Sequence, residues 1–291
     1  MPELPEVEVV RAGLEPAVSG AVVASVTLFD ERSIRRHEGP SEDFVDRLTG
    51  ARFAVPERRG KFLWIPLAET ASALVVHLGM SGQVLLRDRN TDDALTRIRL
   101  DIVSAEHGQL RLNFVDQRIF GSMAVDELVA TSDRPGQHVP SQVLHIARDP
   151  LDPFFDDELF FARLARKNTG IKRALLDQTL ISGIGNIYAD ESLWAAKLHY
   201  DQPALSLSKP KARLLLKQVR HILGKALEEG GTSFDAQYVN VNGASGYFSH
   251  SLNAYGQHGK SCPRCGRPIL REQFMNRGSH FCPWCQRLRL T

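Results

Sequence analysis

The chain has 291 residues, of which 43% are hydrophobic, and this is enough to bury one large core or two moderate ones. No apolar run approaches the roughly 18 residues that span a bilayer, and the amino terminus lacks the pattern of a secretory signal. We therefore expect a soluble intracellular protein. The net charge of +2 hides an asymmetry, because residues 254–291 contain seven basic residues and one acidic residue. This local excess suggests a polyanionic partner, although such clusters are also typical of solvated surface.

The predicted elements begin with a helix, since Val7, Val10, Leu14 and Val18 share one face and Gly20 ends the segment. A β-rich stretch follows, in which glycine-containing turns separate short strands, and a short helix interrupts it at residues 42–48. This pattern favours a β-sandwich or barrel. The predicted strands cover residues 22–28, 51–55, 61–67, 73–78, 83–86, 97–103 and 109–115.

The composition changes between residues 133 and 153, where five prolines or glycines fall in a polar stretch that indicates a connection between domains. Helical patterns follow at residues 156–165, 171–177, 186–198 and 209–229. Residues 232–252 are predicted to form a long loop.

The first six residues carry the most distinctive chemistry. Removal of Met1 would leave Pro2 with a free secondary amine, and α-amino groups have a reference pKa of about 8. Such an amine is partly unprotonated at neutral pH and is a nucleophile suited to imine formation. Glu3 and Glu6 lie within one helical turn of it and are candidates for proton transfer. The simpler interpretation is that Pro2 and Pro5 only start a helix.

The four cysteines form two C-x-x-C pairs, separated by 16 residues, near the carboxyl end. This spacing predicts a structural four-thiolate zinc site, with redox pairs or disulfides as the alternative. The metal would hold two short strands as a β-hairpin and present Arg277 from its tip. The predicted ligands are Cys262, Cys265, Cys282 and Cys285.

A second signal is the glycine turn at residues 182–186, which runs into a helix. Its backbone N–H groups could hold a phosphate, and Asn186 is expected to cap the helix. Lys167 and Lys172, just upstream, strengthen this interpretation, although glycine turns between helices are common.

Taken together, these segments resemble bacterial formamidopyrimidine-DNA glycosylases. The resemblance covers the chain from end to end and includes the first six residues, residues 58–61, 77–82, 116–121 and 177–191, and the cysteine finger. It implies an α+β multidomain protein with an amino-terminal β-sandwich flanked by a helix, a helix–two-turns–helix domain and a zinc-finger hairpin. The implied boundaries are 1–133 for the catalytic domain, 134–152 for the linker, 153–253 for the helical domain with a lesion-covering loop, and 254–291 for the finger.

The resemblance implies a bifunctional DNA glycosylase and abasic-site lyase of base excision repair. Pro2 would attack C1′ of the damaged nucleotide and form an iminium, while Glu3 moves protons and Glu6 supports the site. Lys61 would donate a proton during β-elimination, and Arg277 during δ-elimination. The implied partner is double-stranded DNA containing oxidised or ring-opened purines or abasic sites. We expect a cytoplasmic, nucleoid-associated monomer with one structural Zn²⁺.

The damaged base must leave the helix, so the resemblance also implies residues that fill the gap. Met80 and Phe120 would be apolar wedges, and Arg118 would pair with the orphaned cytosine; without the resemblance, the first two would be assigned to the core. The implied contacts to the DNA backbone are Lys167, Asn186 and Arg97, and we add Lys172 because it lies just upstream of the glycine turn. Arg97 stands where many members have histidine, Gln117 and Ile119 replace a proline and an arginine, and Met275 and Asn276 replace smaller or glycine/glutamine residues.

Three other functions are compatible with parts of the pattern. The related endonuclease VIII removes oxidised pyrimidines, but it normally has glycine where this chain has Leu4. A non-catalytic zinc-finger protein would need only the basic carboxyl end. An amino-terminal-proline tautomerase would use the same amine as a base, but such chains are much shorter and have no finger.

Overall fold

The computed structural model describes residues 2–232, 241 and 247–289. Its contacts divide the chain into two compact units. The first comprises Met1–Pro2, Glu6–His145 and Thr232–Gly246, and the second comprises Glu3–Pro5, Ile146–Gly231 and Tyr247–Thr291. The first helix, α1 (Leu4–Val18), thus starts with residues that pack in the second unit.

Among its described residues, the first unit contains nine strands and a short helix, α2 (Ser41–Leu48), in addition to most of α1. The strands form two antiparallel sheets, with the orders β1-β6-β7-β5 and β2-β3-β4-β8-β9. Their bounds are Val22–Leu28 for β1, Glu57–Arg59 for β2, Phe62–Pro66 for β3, Ser72–His77 for β4, Gln83–Asp88 for β5, Thr96–Ser104 for β6, Gly108–Val115 for β7, Ser122–Ala130 for β8 and His138–Pro140 for β9.

One apolar cluster joins the two sheets, because residues such as Leu63 and Leu74 from one sheet are buried with Leu100 and Phe114 from the other. The predicted face of α1 completes this core: Val7, Val10, Leu14 and Val18 are at most 1% exposed. The β-sandwich predicted from the strand pattern is therefore confirmed.

The details of the sandwich differ from the prediction in two ways. Residues 51–55 form only isolated bridges at Arg52 and Phe53 and no continuous strand. Strands β2, β8 and β9 are additional to the prediction, and β9 lies inside the proline-rich stretch whose composition indicates a connection. Val139 and Val143 in that stretch are fully buried, so their packing outweighs the local turn composition.

The part of the second unit that the structure describes contains four α-helices and a hairpin. The helices lie within two residues of the predicted bounds, and α5 is buried along almost its whole length. None of the described helices combines the length and apolar content that crossing a membrane requires. The bounds are Asp157–Leu164 for α3, Ile171–Leu176 for α4, Asn186–Ala196 for α5, Lys209–Glu228 for α6, Leu270–Phe274 for β10 and Arg277–Phe281 for β11.

Candidate functional site

The start of α5 holds the carboxylate of Glu3. The backbone N–H groups of Gly185, Ile187 and Tyr188 all donate to this carboxylate, with the Ile187 nitrogen at 2.9 Å, and the glutamate is 1% exposed. The amino terminus of a helix favours negative charge, so this arrangement suits an ionised carboxylate. The prediction that these backbone amides bind a phosphate is therefore wrong, because they already donate to Glu3.

The glycines of this turn are explained by the same contact. Gly183 has a positive φ of 87°, and a Cβ atom there would overlap the side chain of Leu4. A Cβ atom on Gly185 would overlap the carboxyl group of Glu3. Leu4 also donates its N–H to the Gly183 carbonyl at 2.9 Å. The turn is built to receive residues 3 and 4 of the chain.

Two of the predicted phosphate contacts in the second unit have a different role. Lys172 is fully buried, with its Nζ atom 2.7 Å from the carboxylate of Asp190 and 2.9 Å from the hydroxyl of Ser279. The predicted direct contact of Lys172 with DNA is therefore wrong in this structure, since no surface is left for a phosphate. Asn186 does not cap α5 as predicted, because Gly185 occupies that position.

Asn186 instead contacts the finger hairpin. Its Nδ2 atom donates to the Gly278 carbonyl at 3.1 Å, while its buried Oδ1 atom has no hydrogen-bond partner among the described residues. Gly278 directly follows Arg277, which opens β11 and is exposed, as the hairpin prediction required. Lys167 is 37% exposed and pairs with Asp177 at 2.6 Å, so it keeps a face toward solvent.

The four cysteines lie together as predicted. Their sulfur atoms are all within 4.8 Å of one another, and a tetrahedral Zn²⁺ with bonds of about 2.3 Å would place them about 3.8 Å apart. The thiolate set therefore fits a structural zinc ion. Trp194 of α5 places its indole N–H 3.5 Å from the Cys262 sulfur, and Gln286 links the Cys282 amide to the Leu198 carbonyl. The finger is thus attached to the end of α5.

In the first unit, Pro2 is buried, and Glu6 is 3% exposed. The Glu6 carboxylate accepts hydrogen bonds from both the backbone N–H and the hydroxyl of Thr232, at 2.8 and 2.7 Å. Glu6 therefore anchors the residue that begins the predicted lesion-covering loop. Residues 233–240 and 242–246 of that loop lie outside the described residues.

Lys61 is half-buried in the turn between β2 and β3, next to Gly60 with its positive φ of 58°. The positive charge of Lys61 affects the pKa of His77, a residue for which we predicted no role from the sequence. Burial lowers the pKa of His77 to about 4, and the nearby cations Arg36, Lys61 and Arg35 add to this effect. The ring is therefore neutral at physiological pH, and its Nδ1 atom accepts the N–H of Gly79 at 3.1 Å.

The three residues proposed to fill the gap in the duplex lie on the surface. The alternative assignment of Met80 and Phe120 to the core is therefore not supported. Met80 is 45% exposed and Phe120 is 51% exposed, and Arg118 between them in sequence is also exposed. Arg97 differs: its guanidinium donates to the Asp116 carbonyl at 2.8 Å and lies 3.8 Å from the Asp30 carboxylate. The predicted contact of Arg97 with DNA is not supported, because the protein itself uses this group.

Comparison with known proteins agrees with this geometry. The chain matches the formamidopyrimidine-DNA glycosylase N-terminal domain at residues 1–123, the formamidopyrimidine-DNA glycosylase H2TH domain at 146–237 and a zinc finger found in FPG and IleRS at 259–288. The chain belongs to the formamidopyrimidine-DNA glycosylase family. It is 64% identical to the formamidopyrimidine-DNA glycosylase of Leifsonia xyli over 99% of this chain and 100% of that protein. It is 52% identical to the Streptomyces avermitilis member, over 99% and 98% of the two chains.

Solved structures of this glycosylase family share the fold. A Lactococcus lactis mutant in complex with DNA containing Fapy-dG superposes with a TM-score of 0.84 at 31% identity, covering 98% of this chain and 100% of that one. The Thermus thermophilus protein gives 0.83 at 35% identity, covering 99% and 100%. The family membership accounts for both the sandwich and the four-cysteine finger.

Proposed function

We propose that this chain is a DNA glycosylase and abasic-site lyase of base excision repair that removes oxidised or ring-opened purines. The observation that carries the proposal is the position of Glu3. Its carboxylate is fixed by three amides at the start of α5, and the residue before it bears the candidate nucleophile. The names of the relatives and the DNA in the Lactococcus lactis complex support the same activity.

The proposed reaction begins at the secondary amine of Pro2. The amine forms a bond to C1′ of the extruded nucleotide, the bond from C1′ to the base breaks, and the base leaves with a proton. Opening of the sugar then gives an iminium between Pro2 and C1′. Glu3, as an ionised carboxylate, accepts and returns protons during these steps.

Strand cleavage follows from the iminium, which acidifies the hydrogen at C2′. Loss of that proton expels the 3′ phosphate, and a second elimination expels the 5′ phosphate. We propose Lys61 and Arg277 as the proton donors for the first and second eliminations. The ammonium of Lys61 and the exposed guanidinium of Arg277 are both cationic groups suited to contact a phosphate.

Binding of the duplex is proposed to use side chains that remain accessible. Met80 and Phe120 would enter the gap left by the extruded base, and Arg118 would pair with the orphaned base. Lys167 and Arg277 would contact the DNA backbone. Asn186 is the exception to this accessibility, because it is buried and its amide would have to leave the Gly278 carbonyl to reach a phosphate. We also propose the domain boundaries given above and, because chromosomal DNA is the proposed substrate, a cytoplasmic, nucleoid-associated location.

Borohydride trapping tests the nucleophile. The protein is incubated with a duplex containing 8-oxoguanine opposite cytosine, and the reduced adduct is digested and mapped by mass spectrometry. We expect the adduct at Pro2. Pro2→Gly should sharply reduce trapping, whereas the matched change Pro5→Ala, in the same helical turn, should not.

An adduct at any residue other than Pro2, or trapping by Pro2→Gly that equals the parent protein, would reject this nucleophile. A duplex carrying an oxidised pyrimidine provides the test of substrate class. Faster excision from that duplex than from the 8-oxoguanine duplex would indicate a pyrimidine-specific enzyme instead.

A further inference from the structure

The loop that joins β7 to β8 carries Arg118 and Phe120, and a buried carboxylate fixes it from inside. Asp116 is fully buried, and its carboxylate accepts the backbone N–H of Arg118 at 3.1 Å and that of Gly121 at 2.7 Å. The same group accepts the hydroxyl of Ser81 at 2.6 Å. Ser81 is the neighbour of Met80, so one carboxylate connects both segments that bear the proposed wedge residues.

Arg35 holds the same loop from the other side. It follows the 3-10 turn Glu31–Ile34, and its guanidinium donates to three successive backbone carbonyls. The distances are 3.2 Å to Ile119, 2.6 Å to Phe120 and 2.7 Å to Gly121. The planar guanidinium can bridge several acceptors at once, which an ammonium cannot do with the same geometry. Its Nη1 atom also donates to the Arg32 carbonyl at 3.3 Å, which ties the guanidinium to its own turn.

Arg35 stabilises a loop conformation that is intrinsically unfavourable. Ile119 has a positive φ of 56°, and this left-handed region is strongly disfavoured for a β-branched residue. Gly79 packs against the loop so closely that a Cβ atom would overlap the backbone of Phe120 and Gly121. The strained residue lies directly between Arg118 and Phe120, so relaxation there would move both side chains.

We propose that Arg35 is a positioning residue for the wedge loop, defined as residues 116–121. By holding three carbonyls around the strained Ile119, it fixes the directions in which Arg118 and Phe120 leave the backbone. The inference rests on the proposed function, in which those two side chains fill the gap in the duplex. Arg35 itself then acts through the loop and makes no contact with the reacting atoms.

A different role for an exposed arginine would be a direct phosphate contact, and the salt dependence of binding separates the two. Loss of one phosphate contact reduces the slope of log affinity against log salt by about 0.9. Loss of a positioning contact leaves the slope unchanged. It reduces instead the excision rate and the preference for cytosine opposite the lesion, because Arg118 is no longer aimed.

The experiment compares Arg35→Leu and Arg35→Lys with the matched control Arg32→Leu, an exposed arginine of the same turn. Single-turnover excision is measured on 8-oxoguanine opposite cytosine and opposite adenine, and binding is measured at several salt concentrations. Because small displacements of reacting groups cost up to about 100-fold in rate, we expect Arg35→Leu to slow excision roughly 10- to 100-fold. The ratio of the two opposite-base rates should fall toward one, with an unchanged salt slope.

Arg35→Lys should be intermediate, and Arg32→Leu should match the parent protein. A salt slope reduced by about 0.9 in Arg35→Leu, or an excision rate and opposite-base ratio equal to those of the parent, would overturn the positioning role. Phe120→Ala, tested alone, separates this inference from the proposed function. A normal rate in Phe120→Ala would reject the wedge itself, whereas a slow Phe120→Ala beside a normal Arg35→Leu would reject only the positioning.

The double variant Arg35→Leu/Phe120→Ala gives an independent check. If Arg35 acts through the loop, its removal should add little once Phe120 is truncated, because both changes disable the same element. Fully multiplicative losses of rate would show that Arg35 acts elsewhere and would reject the inference.

Discussion

The buried pair of Lys172 and Asp190 allows a sharp prediction about how the finger is held in place. Lys172→Met removes the ammonium and leaves the Asp190 carboxylate buried without its counter-charge. The carboxylate keeps hydrogen bonds from the Ser279 hydroxyl at 3.1 Å and the His280 N–H at 2.8 Å. Breaking a buried ion pair from one side costs about 3–5 kcal/mol, so we expect a loss of unfolding free energy in that range.

Adding Asp190→Asn should recover much of this loss. With the amide oxygen in the position of Oδ2, it still accepts the His280 N–H, and the amide NH₂ takes the position of Oδ1, where the Ser279 hydroxyl can turn to accept from it. The uncompensated charge disappears. Burial lowers the pKa of Lys172, and the Asp190 carboxylate opposes this shift, so the charged pair itself gives little net stabilisation. We expect the double variant to be destabilised by only about 1–2 kcal/mol, which is the cost of weaker, neutral hydrogen bonds.

The assay is thermal unfolding of each variant, followed by fluorescence, with Trp194 as a probe close to the finger. For a unit of this size, 3–5 kcal/mol corresponds to a fall in Tm of roughly 6–20 °C for Lys172→Met. Lys167→Met is the control, because its pair with Asp177 is partly exposed and worth at most about 1 kcal/mol. Equal shifts in Tm for Lys172→Met and Lys167→Met would refute the reasoning. So would a Lys172→Met/Asp190→Asn variant that is less stable than Lys172→Met alone.

Three further predictions concern other groups. Glu3→Gln should lower the unfolding free energy by about 2–4 kcal/mol in urea, because its NH₂ group cannot accept the amide N–H groups that the carboxylate now binds; an unchanged midpoint would contradict this. The pKa of His77 is about 4 in the folded protein and about 6.5 in the unfolded chain. The contribution of the neutral ring to the unfolding free energy is therefore fully present above pH 6.5, and it should fall by up to roughly 3 kcal/mol as the pH drops toward 4. His77→Gln should flatten that dependence, and an equal pH profile would argue against it. Chelation should remove one zinc ion per chain and alter the fluorescence of Trp194. A fluorescence spectrum that is identical before and after chelation, with no metal released, would exclude a structural zinc.

The parts of the fold that could be predicted are those with local signals. The helices of the second unit follow from apolar periodicity, and the finger follows from two cysteine pairs whose spacing already defines a metal site. The hairpin, with Arg277 beside the turn at its tip, follows from the same spacing. Each of these signals lies within about 30 residues of sequence.

The wrong predictions concern interactions between distant parts of the chain. The glycine turn before α5 has the composition of a phosphate site, and nothing near it shows that Glu3, 182 residues earlier, takes its amides. Lys172 has the sequence context of a surface cation, but Asp190 and Ser279 bury it. Arg35 gives no local signal either, because its partners in the β7–β8 loop are the backbone carbonyls of residues 119–121, far along the chain.

The attachment of Glu3 to α5 has a consequence for biosynthesis. A ribosome adds about 5–20 residues per second, so roughly ten to forty seconds pass before the amides that bind Glu3 have been made. During that interval the first residues have no native partner in the second unit and are accessible to the deformylase and aminopeptidase that would uncover Pro2. After α5 has formed, Glu3 and Leu4 are buried, and the same trimming would require the unit to open. The proposed amine of Pro2 would therefore be uncovered most readily before α5 has been synthesised.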